Sequence, residues 1–74
     1  MTPTQIEIFK TNVSSESMAL KLIEELVIQH ENVRFNFDLD DCDRILRAEG
    51  TELKLKDIQE QLTLAGFNCE LILE

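Results

Sequence analysis

An α+β fold of six elements, ordered strand, helix, strand, strand, helix, strand, is what this 74-residue sequence predicts. Three observations carry the expectation. Met18, Ala19, Leu22, Ile23, Leu26 and Val27 recur at helical spacing, and Leu55, Ile58, Leu62 and Ala65 do so again later in the chain. Val33, Phe35, Phe37 and Leu39 alternate strictly with polar residues, the mark of a strand with one wet face. Short stretches rich in β-branched, aromatic or aliphatic residues stand before, between and after the two helical patterns.

The first strand is expected over Gln5–Val13, with Ile6 and Ile8 pointing one way and Phe9 the other. Apolar side chains on both faces mark a central strand. Ser14 to Ser17 offer N-caps, Glu16 suits the positive end of a helix, and the helix runs from about Ser15 to Gln29. Lys21, Glu24 and Glu25 fall off its apolar stripe. The second strand is Val33–Leu39, with Arg34, Asn36 and Asp38 on the wet side. The third is Arg44–Glu49, with Leu46 and Ala48 inward and Gly50 and Thr51 breaking it. Gly66 suits the C′ position after the second helix, and Phe67–Leu73 closes the chain as a strand.

This order is the split βαβ, or ferredoxin-like, pattern (βαββαβ). Right-handed crossovers then give a four-stranded antiparallel sheet in the order 4-1-3-2, with both helices on one face. Phe35, Phe37, Leu22, Leu26, Leu46, Ile58 and Leu62 are the expected core. The length suits a single domain spanning residues 1–74, and 43% hydrophobic residues suffice for one core.

Seven basic and fifteen acidic residues give a net charge of -8, which opposes binding to phosphate backbones; no nucleic-acid partner is expected. No apolar run approaches the roughly 18 residues of a membrane helix, and the first residues lack the basic start and apolar run of a signal peptide. The expectation is a cytoplasmic protein, off the membrane, with Cys42 and Cys69 reduced.

In element order and length, nearly the whole chain resembles the heavy-metal-associated domain family, the copper-chaperone-like fold. That resemblance implies a metal-binding C-x-x-C in the loop between the first strand and first helix. Here the loop is TNVSSESMA, and aligning Ser17–Leu20 with the family's small-residue helix start puts Val13 and Glu16 near the two cysteine positions. Neither supplies a thiolate, so the chain looks like a divergent member without the family's metal motif. Fold does not carry function across such a loss, and no stoichiometric metal or other cofactor is expected. The combination of FKTNV, NFDLDDCDRILR and GFNCE also resembles a small group of bacterial proteins, a likeness that names no activity.

The segment DLDDCD, Asp38 to Asp43, poses the sharpest question. As a calcium loop it has Cys42 at the fifth position and no glycine at the sixth. As a hairpin tip it is well made, since aspartates favour turns through side-chain to backbone hydrogen bonds. Two registers fit, one with the two-residue loop Asp41-Cys42 and one with a four-residue loop from Asp41 to Arg44. Each sets Arg47 opposite or diagonal to Asp38. The alternative is a relocated metal site of Cys42, Cys69, Asp41 and Asp43, because the topology brings these residues to the end that holds metal in the chaperones. His30, near the end of the first helix, is expected at the opposite end of the sheet, where the helix dipole favours a cation.

No Ser-His-Asp set is visible, and no carboxylate pair stands in an apolar setting that would split its pKa values. The expectation is therefore no enzyme but a small metal-free interaction module; the alternative is a metal-handling protein with a non-standard Cys/Asp site. With helices on one face only, the other face can meet a protein partner or a second copy. Ile45 and Ile72 can project onto it, as can Ile8, where strand parity reads either way, unless the stems of Lys10, Arg47 and Glu49 cover them.

Overall fold

Alternation decides which side chains each strand turns inward, and the six elements form in the expected order. The computed structural model describes residues 3–40 and 42–72. They build β1 (Gln5–Thr11), α1 (Glu16–Gln29), β2 (Val33–Asp38), β3 (Ile45–Gly50), α2 (Leu55–Leu64) and β4 (Cys69–Leu71). The sheet runs β2-β3-β1-β4 with every neighbouring pair antiparallel, which is the predicted order. β1 lies between β3 and β4, as apolar residues on both its faces demand.

One core cluster joins Phe9, Val33, Phe35, Leu46 and Ala48 of the sheet to Leu26 of α1 and Ile58 and Leu62 of α2. Both helices pack on the same inward side chains, so both lie on one face. This is an α+β, ferredoxin-like arrangement. Of the expected core, Phe35, Leu22, Leu26, Leu46, Ile58 and Leu62 are buried. Phe37 is only half-buried: it sits on edge strand β2 and spans the main cluster and a second one. Phe9, not among the expected core residues, is fully buried at the centre of the sheet.

The element ends differ from expectation for local reasons. β1 stops at Thr11 and β2 at Asp38, so Val13 and Leu39 leave the ladder and meet in the second cluster with Ala19, Leu22, Phe37 and Phe67. β3 begins at Ile45 because Arg44 has φ 46°, in the left-handed region that a strand cannot use. Gly50 does not break β3; it is the last paired residue, opposite Val33 and Gln5. A Cβ there would stand 3.0 Å from the Asn32 carbonyl oxygen and from Cγ2 of Val33, so the close approach selects glycine. β4 starts at Cys69 rather than Phe67, and Leu73, the expected end of the strand, lies outside the described residues.

Gly66 takes φ 94° and ends α2 as predicted. Its N–H donates to the Thr63 carbonyl at 3.0 Å, and the Phe67 N–H donates to that of Leu62 at 3.0 Å. This paired 5→2 and 6→1 pattern is the Schellman motif. At the other helix, Ser15 is the N-cap by backbone conformation, but its hydroxyl meets Ser17 Oγ at 2.9 Å rather than a helix N–H.

Candidate functional site

The loop end, where the β1–α1 loop, the β2–β3 hairpin tip and the entry to β4 come together, is tied by hydrogen bonds centred on β1. The Thr11 N–H donates to the Asp43 carbonyl at 3.1 Å. The buried Thr11 hydroxyl donates to the Arg44 carbonyl and accepts the Val13 N–H at 3.3 Å. Asn12 Oδ1 accepts the Asn68 N–H at 2.8 Å, which draws in the approach to β4. Across the tip itself, the Arg44 guanidinium donates to the Leu39 carbonyl.

These bonds fix the two sides of the hairpin tip at Leu39 and at Asp43 and Arg44. The last ladder pair is Asp38↔Ile45, which keeps the register of the shorter expected loop. Neither expected loop length forms, however. The strands part early and Leu39 to Arg44 make the connection, because Arg44 closes the turn and Thr11 holds the Asp43 and Arg44 carbonyls. Arg47 is opposite Asn36 and thus diagonal to Asp38. Asp43 Oδ1 lies 3.6 Å from Lys10 Nζ, an exposed ion pair worth about 0–1 kcal/mol.

The donor set does not fit the metal site that the family resemblance implies. Val13, near one vacated cysteine position, is fully buried against Ala19 and Leu22, so apolar side chains fill that place. Glu16, near the other, is exposed on the first turn of α1. In the relocated set the two cysteines differ in burial. Cys42 is exposed at the hairpin tip, whereas Cys69 is half-buried, in register with Thr11 and packed on the main core. Burial pushes the Cys69 thiol up to about 11, so it stays protonated at neutral pH. Asp41 lies outside the described residues. Among the described residues, no group of three or more His, Cys, Asp and Glu could hold a metal ion.

His30 has a packing role. It caps α1 with its N–H on the Leu26 carbonyl at 2.8 Å and is only 7% exposed. Its Nε2 lies 2.7 Å from Gln61 Oε1, and the ring meets Phe35 edge-on at 5.9 Å between centroids. A carbonyl oxygen only accepts, so Nε2 carries the proton and α1 is bonded to α2. This buried tie between the helices is a partner that the helix-end reading of the sequence did not include.

The open sheet face presents the other candidate. The register sets Ile8 opposite Arg47 and Ile45 opposite Lys10, and the Ile72 N–H donates to the Ile8 carbonyl at 2.9 Å. Ile8, Ile45 and Ile72 therefore gather on the face away from the helices, with Ile8 between β3 and β4. All three are half-buried although no helix covers them, and Arg47 and Lys10 are placed to lay their stems over them. Ile6, two residues before Ile8 on the same face, remains 48% exposed. It belongs with the other three. Its shared parity with Ile8 is the signal that could have included it.

Leu20, Ile28 and Leu64 are also exposed on the helix layer. Glu24 interrupts the α1 pair, four residues after Leu20 and four before Ile28, and Leu64 stands on α2. Scattered aliphatics of this kind are normal on a protein surface. A groove of about 380 Å³ lies between α1 and the edge strand β2, with Leu20, Ile23 and Phe37 in its lining and Glu16, Asp38 and Asp40 among its acids. No sequence motif marked it.

Among the described residues, no helix is long and apolar enough to cross a membrane. No family model, curated protein or solved structure matches the chain.

Proposed function

We propose that this chain is a small cytoplasmic protein-interaction module, working without a stoichiometric metal, and that its open sheet face is the docking surface. The observation that carries the reading is the contiguous set Ile6, Ile8, Ile45 and Ile72 on a sheet face that no described helix or strand covers. A folded chain gains nothing from exposing isoleucine, whereas a partner that covers it gains roughly 25 cal/mol for each Å² of apolar surface removed from water. A binding rather than catalytic role is supported by the commitments of the reactive groups. His30 is bonded to Gln61, and Cys69 is held as a thiol. The heavy-metal-associated resemblance enters this reading as a shared scaffold only.

The test compares the tagged protein with an Ile6→Lys/Ile8→Glu variant. The lysine introduced at position 6 would face Glu49, and the glutamate introduced at position 8 would face Arg47. Each new charge meets an opposite one, and the net charge does not change. The reading predicts that proteins co-purified with the wild type, identified by mass spectrometry, are lost from the folded variant. The same set captured by both forms would remove the open face from the function. Titration with Cu(I) or Zn²⁺ under reducing conditions tests the metal alternative. A ligand at 100 times its Kd should stabilise the fold by about 2.7 kcal/mol, and no such shift is expected here. Were one seen, its loss in Cys42→Ser or Cys69→Ser would locate the site.

A further inference from the structure

The open face has a charge composition unlike the rest of the molecule. On the paired strands, the residues turned away from the helices include Lys10, Arg34 and Arg47 and also Asp38, Glu49 and Glu70. Three positive and three negative charges cancel. The other described residues keep four basic and ten acidic side chains, so most of the net negative charge lies off these positions. The register interleaves the signs, with Arg34 opposite Glu49 and Lys10 opposite Glu70.

We infer, building on the docking reading above, that the occupant of this face is a second copy of the same chain, joined sheet to sheet. A chain of charge -8 meets its own copy against strong repulsion wherever the acidic surface leads. The open face is the exception: it is neutral, carries both signs, and holds its four isoleucines together around β1. An isologous contact needs a surface complementary to itself, and a mixed-sign apolar patch meets that need. A strongly basic partner, by contrast, would find no net charge here to recognise. The acidic helix layer stands back from the contact. The shortest dimension of the molecule is 18 Å, about twice the Debye length of roughly 8 Å at physiological salt, so repulsion between the two outer layers is largely screened. A stable interface removes roughly 600–1,000 Å² from each copy. The chain exposes 5318 Å² in all, and one broad face can supply that area.

Sedimentation equilibrium from about 10 μM to about 1 mM, the range in which an interface of this modest size should associate, tests the inference. The wild type is expected to shift from monomer to dimer. The Ile6→Lys/Ile8→Glu variant, shown folded by circular dichroism, should remain monomeric, its Kd raised by about 100-fold or more. Leu20→Lys, on the helix layer, should dimerise like the wild type. Because the meeting surfaces are neutral, the wild-type Kd should change less than about threefold between low and high salt. A wild type that stays monomeric throughout overturns self-association. So does a dimer that Leu20→Lys breaks and the sheet variant does not, or one that tightens tenfold with salt, which would mean acidic layers in contact. If the wild type is monomeric yet its co-purified partners are lost from the sheet variant, self-association fails and the docking reading stands. If neither dimer nor sheet-dependent capture appears, both fail.

Discussion

The loop end and the open sheet face share one strand, β1, and differ in how far the chain satisfies its own surface. At the loop end, Thr11 and Asn12 spend their polar groups on Asp43, Arg44 and Asn68, Thr11 also takes the Val13 N–H, and the Val13 side chain is completely buried. A few residues earlier, Ile6 and Ile8 face a side of the sheet that no described helix covers. The end where the copper-chaperone resemblance implies ligand binding is closed with the chain's own atoms. The face without a motif is the one left unfinished. Position in a fold is therefore a poor guide to a working surface unless the bonding capacity at that position is counted as well.

The largest expected effect separates the two faces of β1 itself. Phe9→Ala should cost about 3–5 kcal/mol in urea unfolding, because Phe9 is fully buried and truncation leaves a cavity. Ile6→Ala, on the other face of the strand, should cost less than about 1 kcal/mol at protein concentrations too low for association. Equal costs would erase the distinction between a folding face and a docking face.

Val13→Ala tests whether the loop end is packed rather than vacant. Losing two buried methyl groups should cost about 2 kcal/mol in the same assay. A cost near zero would mean that the second cluster is loose and the loop end open. Thr11→Val keeps the shape and removes the hydroxyl that serves Arg44 and Val13. It should cost about 1–2 kcal/mol, since the carbonyl and N–H left behind lose a partner in a part-buried setting.

The smallest effect separates the cysteines. Cys69, raised to about 11 by burial, should label much more slowly at neutral pH than exposed Cys42. The same shift gives a pH dependence of definite sign. Between the ordinary thiol value of 9.0 and about 11, the unfolded chain loses this proton while the folded chain keeps it. Stability from this group therefore falls as pH rises through that window. Cys69→Ser should flatten the fall. A slope unchanged by that substitution would place the thiol in water.

Most of the fold is legible in the sequence because periodicity and sheet parity act locally. Leu22, Leu26, Ile58 and Leu62 follow from helical spacing, and Leu46 and Ala48 from alternation. Gly66 follows from the need for a left-handed residue after α2. Gly50 reads as a strand breaker because the close approach of Asn32 and Val33 comes from the far end of β2, which no local rule contains. The hairpin length escapes local rules for a similar reason. Arg44 turns left-handed while it donates to the Leu39 carbonyl and accepts from the Thr11 hydroxyl, and Thr11 is 33 residues away. The bond from His30 to Gln61 escapes local rules because Gln61 belongs to the other helix. For the candidate site, Ile8, Ile45 and Ile72 are legible from parity, and Ile6 shares the same signal. The cancellation of charge on that face is not legible, since it depends on how four strands align.

The central claim is that one face of β1 folds the protein and the other receives a partner. Amide chemical shifts of isotopically labelled protein, followed by NMR through a dilution series, test it residue by residue. Concentration-dependent shifts should cluster at Ile6, Ile8, Ile45, Arg47 and Ile72, while Thr11, Val13 and Asn68 at the loop end stay constant. Shifts concentrated at the loop end or along Leu20 and Ile28 of α1, with the sheet residues unmoved, would contradict the account.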